Sequence, residues 1–250
     1  SQTYSDGKTE LQLRVFNPSV YKSRYAVYSI TSTSANGYLS TRKYDAGEKY
    51  LLVDLYKKIS TVKEFTDINK GLDQNYMLMA DLDLSGYSGF YINNFSGKFE
   101  GNNHVIKNIN LTQSGKNGLF NAVYGTMQNV TFENVYKSNN AAYHAIVALS
   151  NRYGKFYNVH VKNMTIEIGE NVKHSNMYVG ALIANANQAN ISYCSATDIT
   201  IKSVSESVGM NAGGLVGYGY GMFISNSFAQ NVDISIENSV SVNGVGGLVG

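Results

Sequence analysis

Two periods organise the hydrophobic positions of this chain. Near its start, apolar and polar residues alternate in Glu10-Leu11-Gln12-Leu13-Arg14-Val15-Phe16 and in Tyr25-Ala26-Val27-Tyr28-Ser29-Ile30. The turn formers Asn17-Pro18-Ser19 and Asn36-Gly37 follow. A period of two bounded by such turns predicts antiparallel strands, and with them a small β-rich domain over residues 1–59. The period then changes. Val62, Phe65, Ile68 and Leu72 recur at helical spacing, Glu64 stands three after Thr61, and Gly71 closes the stretch. A capping box, an apolar stripe and a terminal glycine predict one short helix, so 60–74 reads as a capping helix and connection. Its stripe must cover something, and Tyr76-Met-Leu-Met-Ala-Asp-Leu-Asp-Leu84 looks like the start of a new core over 75–250.

From residue 104 onward one short pattern repeats. It reads Ile106-Lys-Asn108-Ile109-Asn-Leu111, Met127-Gln-Asn129-Val130-Thr-Phe132, Phe156-Tyr-Asn158-Val159-His-Val161, Ile191-Ser-Tyr193-Cys194-Ser-Ala196 and Ile224-Ser-Asn226-Ser227-Phe-Ala229, with start-to-start spacings of 21, 29, 35 and 33. A second pattern lies between copies: Gly118-Leu-Phe120, Val179-Gly-Ala-Leu-Ile183, Gly213-Gly-Leu-Val-Gly217 and Gly246-Gly-Leu-Val-Gly250. Short fixed strands with variable spacing predict an all-β parallel β-helix (a β-solenoid), in which coils stack at about 4.8 Å while loops vary. Aligning the copies predicts two inward columns: Ile109, Val130, Val159, Cys194, Ser227; and Leu111, Phe132, Val161, Ala196, Ala229. It also predicts two polar stacks. Asn108, Asn129, Asn158 and Asn226 form one, interrupted by Tyr193; Asn134, Asn163, Asp198 and Asn231 form the other. Asparagine suits such stacks because its amide both donates and accepts and tolerates turn dihedrals.

Composition agrees and removes several function classes. The 250 residues include 29 Asn, 24 Gly and 20 Tyr but one Pro and no Trp, which suits many short strands and excludes a helical bundle. Charged residues are only 15% and the net charge is +2, giving no electrostatic pull toward nucleic acid. Cys194 is alone, so no internal disulfide and no zinc finger can form; such cysteine poverty fits a bacterial surface protein. No apolar run is long enough to enter a membrane. The first residues are polar and lack Met, and the last strand, Gly246 to Gly250, opens a repeat without completing it. The sequence therefore reads as a piece of a longer protein, with a last coil expected to fray or self-associate.

The Gly-Leu-Val-Gly pattern resembles the GLUG motif of bacterial surface β-helices. Phe95-Ser-Gly97-Lys-Phe99-Glu-Gly101-Asn-Asn-His104-Val-Ile106-Lys-Asn108-Ile109 resembles the segment that opens such solenoids. The whole order, over about residues 50–250, resembles the N-terminal, non-catalytic region of Gram-positive immunoglobulin A-cleaving zinc metallopeptidases. That resemblance implies an extracellular scaffold attached to the bacterial cell surface or cell wall, with zinc and a catalytic domain elsewhere in the same chain. Its partner would be a host protein such as immunoglobulin. GLUG coils also occur in adhesins, which implies a host glycan or protein as the alternative partner. The metallopeptidase signature His-Glu-x-x-His is absent, so no catalytic residue is carried over.

Little else in the sequence promises chemistry. His104, His144, His160 and His174 show no ligand spacing and read as surface or turn residues, with His160 pointing outward between Val159 and Val161. Cys194 sits in an apolar column and reads as core filler. Asp81 and Asp83 share a strand face with Glu100 nearby, a weak calcium candidate against the plainer reading of solvated edge carboxylates. A polysaccharide lyase would need a basic residue, and the solenoid portion has one arginine, Arg152. The run Gly217-Tyr-Gly-Tyr-Gly221 lacks the Lys-Ser/Thr of a phosphate loop. The Asn-x-Ser/Thr triplets at Asn94, Asn110, Asn129, Asn163 and Asn190 follow from the abundance of Asn and Thr.

Overall fold

The computed structural model describes residues 56–150, 154–237 and 241–250, together with the strand backbone of the first 54 residues. The chain divides into two units, Ser1–Tyr56 and Lys57–Gly250. In the first, Tyr25–Ile30 pairs antiparallel with Lys49–Asp54 on one side and Arg14–Val15 on the other, and Gln2–Thr3 pairs antiparallel with Thr9–Glu10. The turns expected at 17–19 and 36–37 lie outside the described residues.

The second unit is a parallel β-helix. One sheet runs in order Lys57–Ile59, Tyr76–Leu78, Lys98–Leu111, Thr126–Ser138 and Lys155–Ile168, continuing through Asn190–Ser192 with Ser195–Ser203 and Phe223–Ser225 with Phe228–Ile236. The second sheet contains Ile92–Phe95, Gly118–Val123, Tyr143–Ser150, Met177–Gly180 with Ile183–Asn187, Val208–Gly213 with Val216–Tyr220, and Ser241–Gly246. The first sheet begins at Lys57, five residues before the helix.

The helix is short. Val62–Thr66 is α-helical and Asp67–Lys70 continues as a 3₁₀ turn. Thr61 Oγ1 accepts from Glu64 N at 3.2 Å while Glu64 Oε2 accepts from Thr61 N at 3.0 Å, completing the capping box. Phe65 and Ile68 are fully buried, and the Phe65 ring meets Phe99 and Phe120 edge-on in the first coil. The helix thus covers the apolar end of the solenoid. Gly71 ends it through space rather than a left-handed dihedral: its φ is −158°, and a Cβ there would stand 2.9 Å from the Tyr76 hydroxyl.

Each long strand of the first sheet turns two corners. The corner residues have positive φ and lie five apart: Asn129 and Asn134, Asn158 and Asn163, Tyr193 and Asp198, Asn226 and Asn231. Asparagine and aspartate enter this left-handed region at least cost after glycine. In register, Phe132, Val161, Ala196 and Ala229 form one inward column as expected.

The first coil is registered differently from the sequence alignment. Glu100 pairs with Gln128, but His104 pairs with Val130, so two extra residues are accommodated at Gly101-Asn102-Asn103. Asn102 and Asn103 both take positive φ, and a Cβ on Gly101 would lie 2.3 Å from the Asn129 carbonyl oxygen. Ile106, not Leu111, therefore joins the column of Phe132, Ile109 joins Val135, and Asn108 belongs to the stack of Asn134.

That register places a lysine inside. Leu111, Lys137, Ile166, Ile201 and Ile234 are successive members of one column. Lys137 is fully buried, and its Nζ donates to the Lys116 carbonyl at 2.7 Å. Asn139 Nδ2 donates to the same oxygen at 2.8 Å and to Gln113 O at 2.7 Å, tying down the loop between the strands. Burial pushes the lysine from its ordinary 10.5 down to about 7. The unfolded chain thus binds the proton more tightly, and stability rises with pH between about 7 and 10. Lys137→Met should raise stability at pH 7 by up to about 4 kcal/mol. It should also abolish the rise in the urea midpoint expected of the native protein between pH 7 and 9. An unchanged or lowered midpoint at pH 7 would show that the lysine contributes more through its carbonyl contact than its burial costs.

Candidate functional site

The polar residues of the solenoid are built into two axial hydrogen-bond ladders, and the candidate site residues are best understood from them. In the first ladder, Asn158 Nδ2 donates to Asn129 Oδ1 at 3.0 Å, and Asn129 Nδ2 donates to both carboxylate oxygens of Glu100 at 3.1 and 3.2 Å. In the second, Asn163 donates to Asn134 at 2.8 Å, Asn134 to Asn108 at 3.3 Å, and Asn108 to Asp83 Oδ1 at 2.9 Å. Further along, Asn231 donates to Asp198 at 2.9 Å. Every rung donates toward the coil before it. An amide can pass the chain on, whereas an ionised carboxylate only accepts. A carboxylate is therefore the natural first rung.

This assigns Asp83 and Glu100. Glu100 is buried and also accepts from Gln128 Nε2 and Asn102 N, both at 2.6 Å. Asp83 receives Ser85 N besides Asn108, and these donors, the Asn108 amide foremost, lower its pKa to about 2. Asp81 stands exposed just before the strand Leu82–Asp83, where Oδ1 accepts from Val105 N and contacts His104 Nδ1, each at 3.0 Å. These hydrogen bonds, the one from Val105 N first, hold its carboxyl below the usual range. The three carboxylates thus serve separate rungs and edges. Among the described residues no three His, Cys, Asp or Glu side chains gather to hold a metal ion.

The histidines are structural too, in ways the spacing did not reveal. His144, expected at a surface or turn, is fully buried; its Nε2 lies 2.8 Å from Ala141 O, and burial lowers its pKa to about 3. His160 faces outward and half-buried, with Nε2 2.9 Å from Asn158 Oδ1 and Nδ1 2.8 Å from Ser195 Oγ. Because Asn158 Oδ1 only accepts, Nε2 carries the hydrogen and Nδ1 receives the serine hydroxyl. Burial, then Lys162, lowers its pKa. His160 supplies the donor that Tyr193, in the corner above, cannot. His174 sits 2.9 Å from Asn140 O. Cys194 is buried, with its thiol pushed up to about 11 by burial, so it carries no thiolate. Arg152 lies outside the described residues. Gly217 to Tyr220 falls in the strand Val216–Tyr220, and Asn129 and Asn163 of the Asn-x-Ser/Thr triplets are spent in the ladders.

The outer surface also carries exposed aromatics. Tyr157 and Tyr193 are about half exposed and meet edge-on at 5.3 Å between ring centres. On the second sheet Tyr143 stacks on Tyr178 at 5.4 Å, and Tyr178 lies 5.4 Å from Tyr218, one ring per coil. Such faces offer apolar area with a polar tip.

Comparison with known proteins finds the GLUG motif over residues 175–202, a stretch that includes the buried Leu182 and the corner residues Tyr193 and Asp198. No curated protein matches the chain. Among solved structures, the chain is similar to a putative immunoglobulin A1 protease from Bacteroides ovatus, at 15% identity and a TM-score of 0.37, over 77% of this chain and 84% of that one. No helix among the described residues is long and apolar enough to cross a membrane.

If Glu100 is a ladder terminus, Glu100→Gln should cost roughly 1–3 kcal/mol, because its new N–H₂ must face donors. Millimolar calcium should leave the melting temperature of the native protein unchanged. A calcium-dependent rise that disappears in Asp83→Asn would restore the metal reading.

Proposed function

We propose that this chain is the non-catalytic scaffold and recognition region of a secreted, surface-attached zinc metallopeptidase acting on a host protein such as immunoglobulin A. The observation that carries the non-catalytic part is the commitment of Asp83, Glu100 and His160 to ladder rungs, which leaves no free acid, base or ligand set among them. The GLUG motif supports placing the chain among bacterial surface solenoids. In this reading zinc belongs to a catalytic domain of the same polypeptide, and the solenoid spaces that domain and presents a surface to its substrate.

A second reading is favoured by the exposed aromatics. Tyr157, Tyr193 and Tyr220 suit an adhesin that binds host glycan or protein, since aromatic faces stack on sugars as readily as they anchor protein interfaces. The two readings predict different ligands. Immobilised protein should retain immunoglobulin A without cleaving it, and Tyr157→Ala with Tyr193→Ala should weaken retention roughly tenfold or more. Retention of neutral glycans but not of immunoglobulin would favour the adhesin. Retention of neither would sink both, and cleavage products that survive repurification would overturn the non-catalytic assignment.

A further inference from the structure

Both ladders are interrupted at one level of the solenoid. In the first, the corner after Asn158 is Tyr193, whose φ is 55° but whose phenol has no amide to offer. In the second, the corner after Asn163 is Asp198, with φ 57° and a carboxylate that cannot donate. Among the described residues, no side-chain amide of the coil 190–220 donates to Asn158 or Asn163, whereas the rungs are continuous on the N-terminal side and, in the second ladder, resume at Asn231. We infer that the solenoid carries a built-in seam between the coil 155–187 and the coil 190–220, at which it opens as two cooperative blocks.

Three further features change at the same place. The strand Lys155–Ile168 runs unbroken, but its counterpart is split into Asn190–Ser192 and Ser195–Ser203. One inward column shrinks, Val161 giving way to Ala196 and then Ala229, so less apolar area crosses the junction there, although the column of Ile166, Ile201 and Ile234 keeps its size. A tyrosine in the left-handed region also carries backbone strain that an asparagine would largely avoid. What closes the seam is the parallel backbone pairing, the hydrogen bonds His160–Ser195, Ser207–Val172 and His174–Ser207, the exposed Lys173–Glu206 ion pair, and the Tyr157–Tyr193 and Tyr178–Tyr218 ring contacts. Opening there sacrifices no amide rung, whereas opening one coil earlier would break the Asn158–Asn129 and Asn163–Asn134 rungs together.

Native-state hydrogen exchange in sub-denaturing urea tests this on the whole chain. Amides of 190–236 should share one opening equilibrium, weaker than that of 98–168, with the step falling at residues 188–190. Asp198→Asn restores a donor toward Asn163 and keeps the acceptor for Asn231, so it should slow exchange across 190–236 by roughly 2- to 10-fold. Tyr193→Asn combined with it should slow exchange further. Protection that declines coil by coil without a step, or a single global opening of all coils, would overturn the seam. So would an Asp198→Asn protein that folds normally but exchanges like the native one.

Discussion

Parallel, in-register stacking is the constraint from which the rest of this structure follows. It sets each residue directly against its counterpart one coil away, so whatever a position does to itself is repeated along the axis. At the corners two demands meet. The backbone must enter the left-handed region, and the side chain must satisfy neighbours on both sides. Asparagine alone meets both cheaply, because its amide accepts from one coil while donating to the other. The asparagines at the corners are therefore a product of geometry, and the departures from them at Tyr193 and Asp198 are where the structure says something particular.

Much of the architecture was legible in the amino-acid pattern, and the failures have identifiable causes. The capping box at Thr61 and Glu64, the outward His160 and the inward column of Phe132, Val161 and Ala196 all follow from period and spacing. The first coil does not, because both corners of a coil share one local pattern. Ile106-Lys-Asn108-Ile109 around a second corner looks like Met127-Gln-Asn129-Val130 around a first. Only the two additional residues at Gly101-Asn102-Asn103 distinguish them. Lys137 was hidden for the same reason: its burial is visible only once it is known to share a column with Leu111 and Ile166.

The candidate site was less legible than the fold. Asp81, Asp83 and Glu100 are close in sequence and acidic, which is how a cation site looks before its hydrogen bonds are known. In the structure each carboxylate is claimed by amide or backbone donors. The informative signal was positional, namely an acidic residue preceding the first asparagine of a column. His144 illustrates the converse, since nothing in Tyr143-His-Ala-Ile distinguishes a buried imidazole from an exposed one. Much of the polar chemistry at the corners is spent along the axis, in rungs between coils.

The one-way direction of the rungs has an electrical consequence. With every amide N–H aimed toward the preceding coil, each ladder is a row of dipoles aligned head to tail, its positive end facing the start of the solenoid. Asp83 and Glu100 stand at those positive ends, as an anion stands at the N-terminus of an α-helix. In the second ladder the asparagine side chains thus build, outside the backbone, a small counterpart of the helix macrodipole. The ionised state of Asp83 is its counter-charge, consistent with the low pKa of that carboxyl.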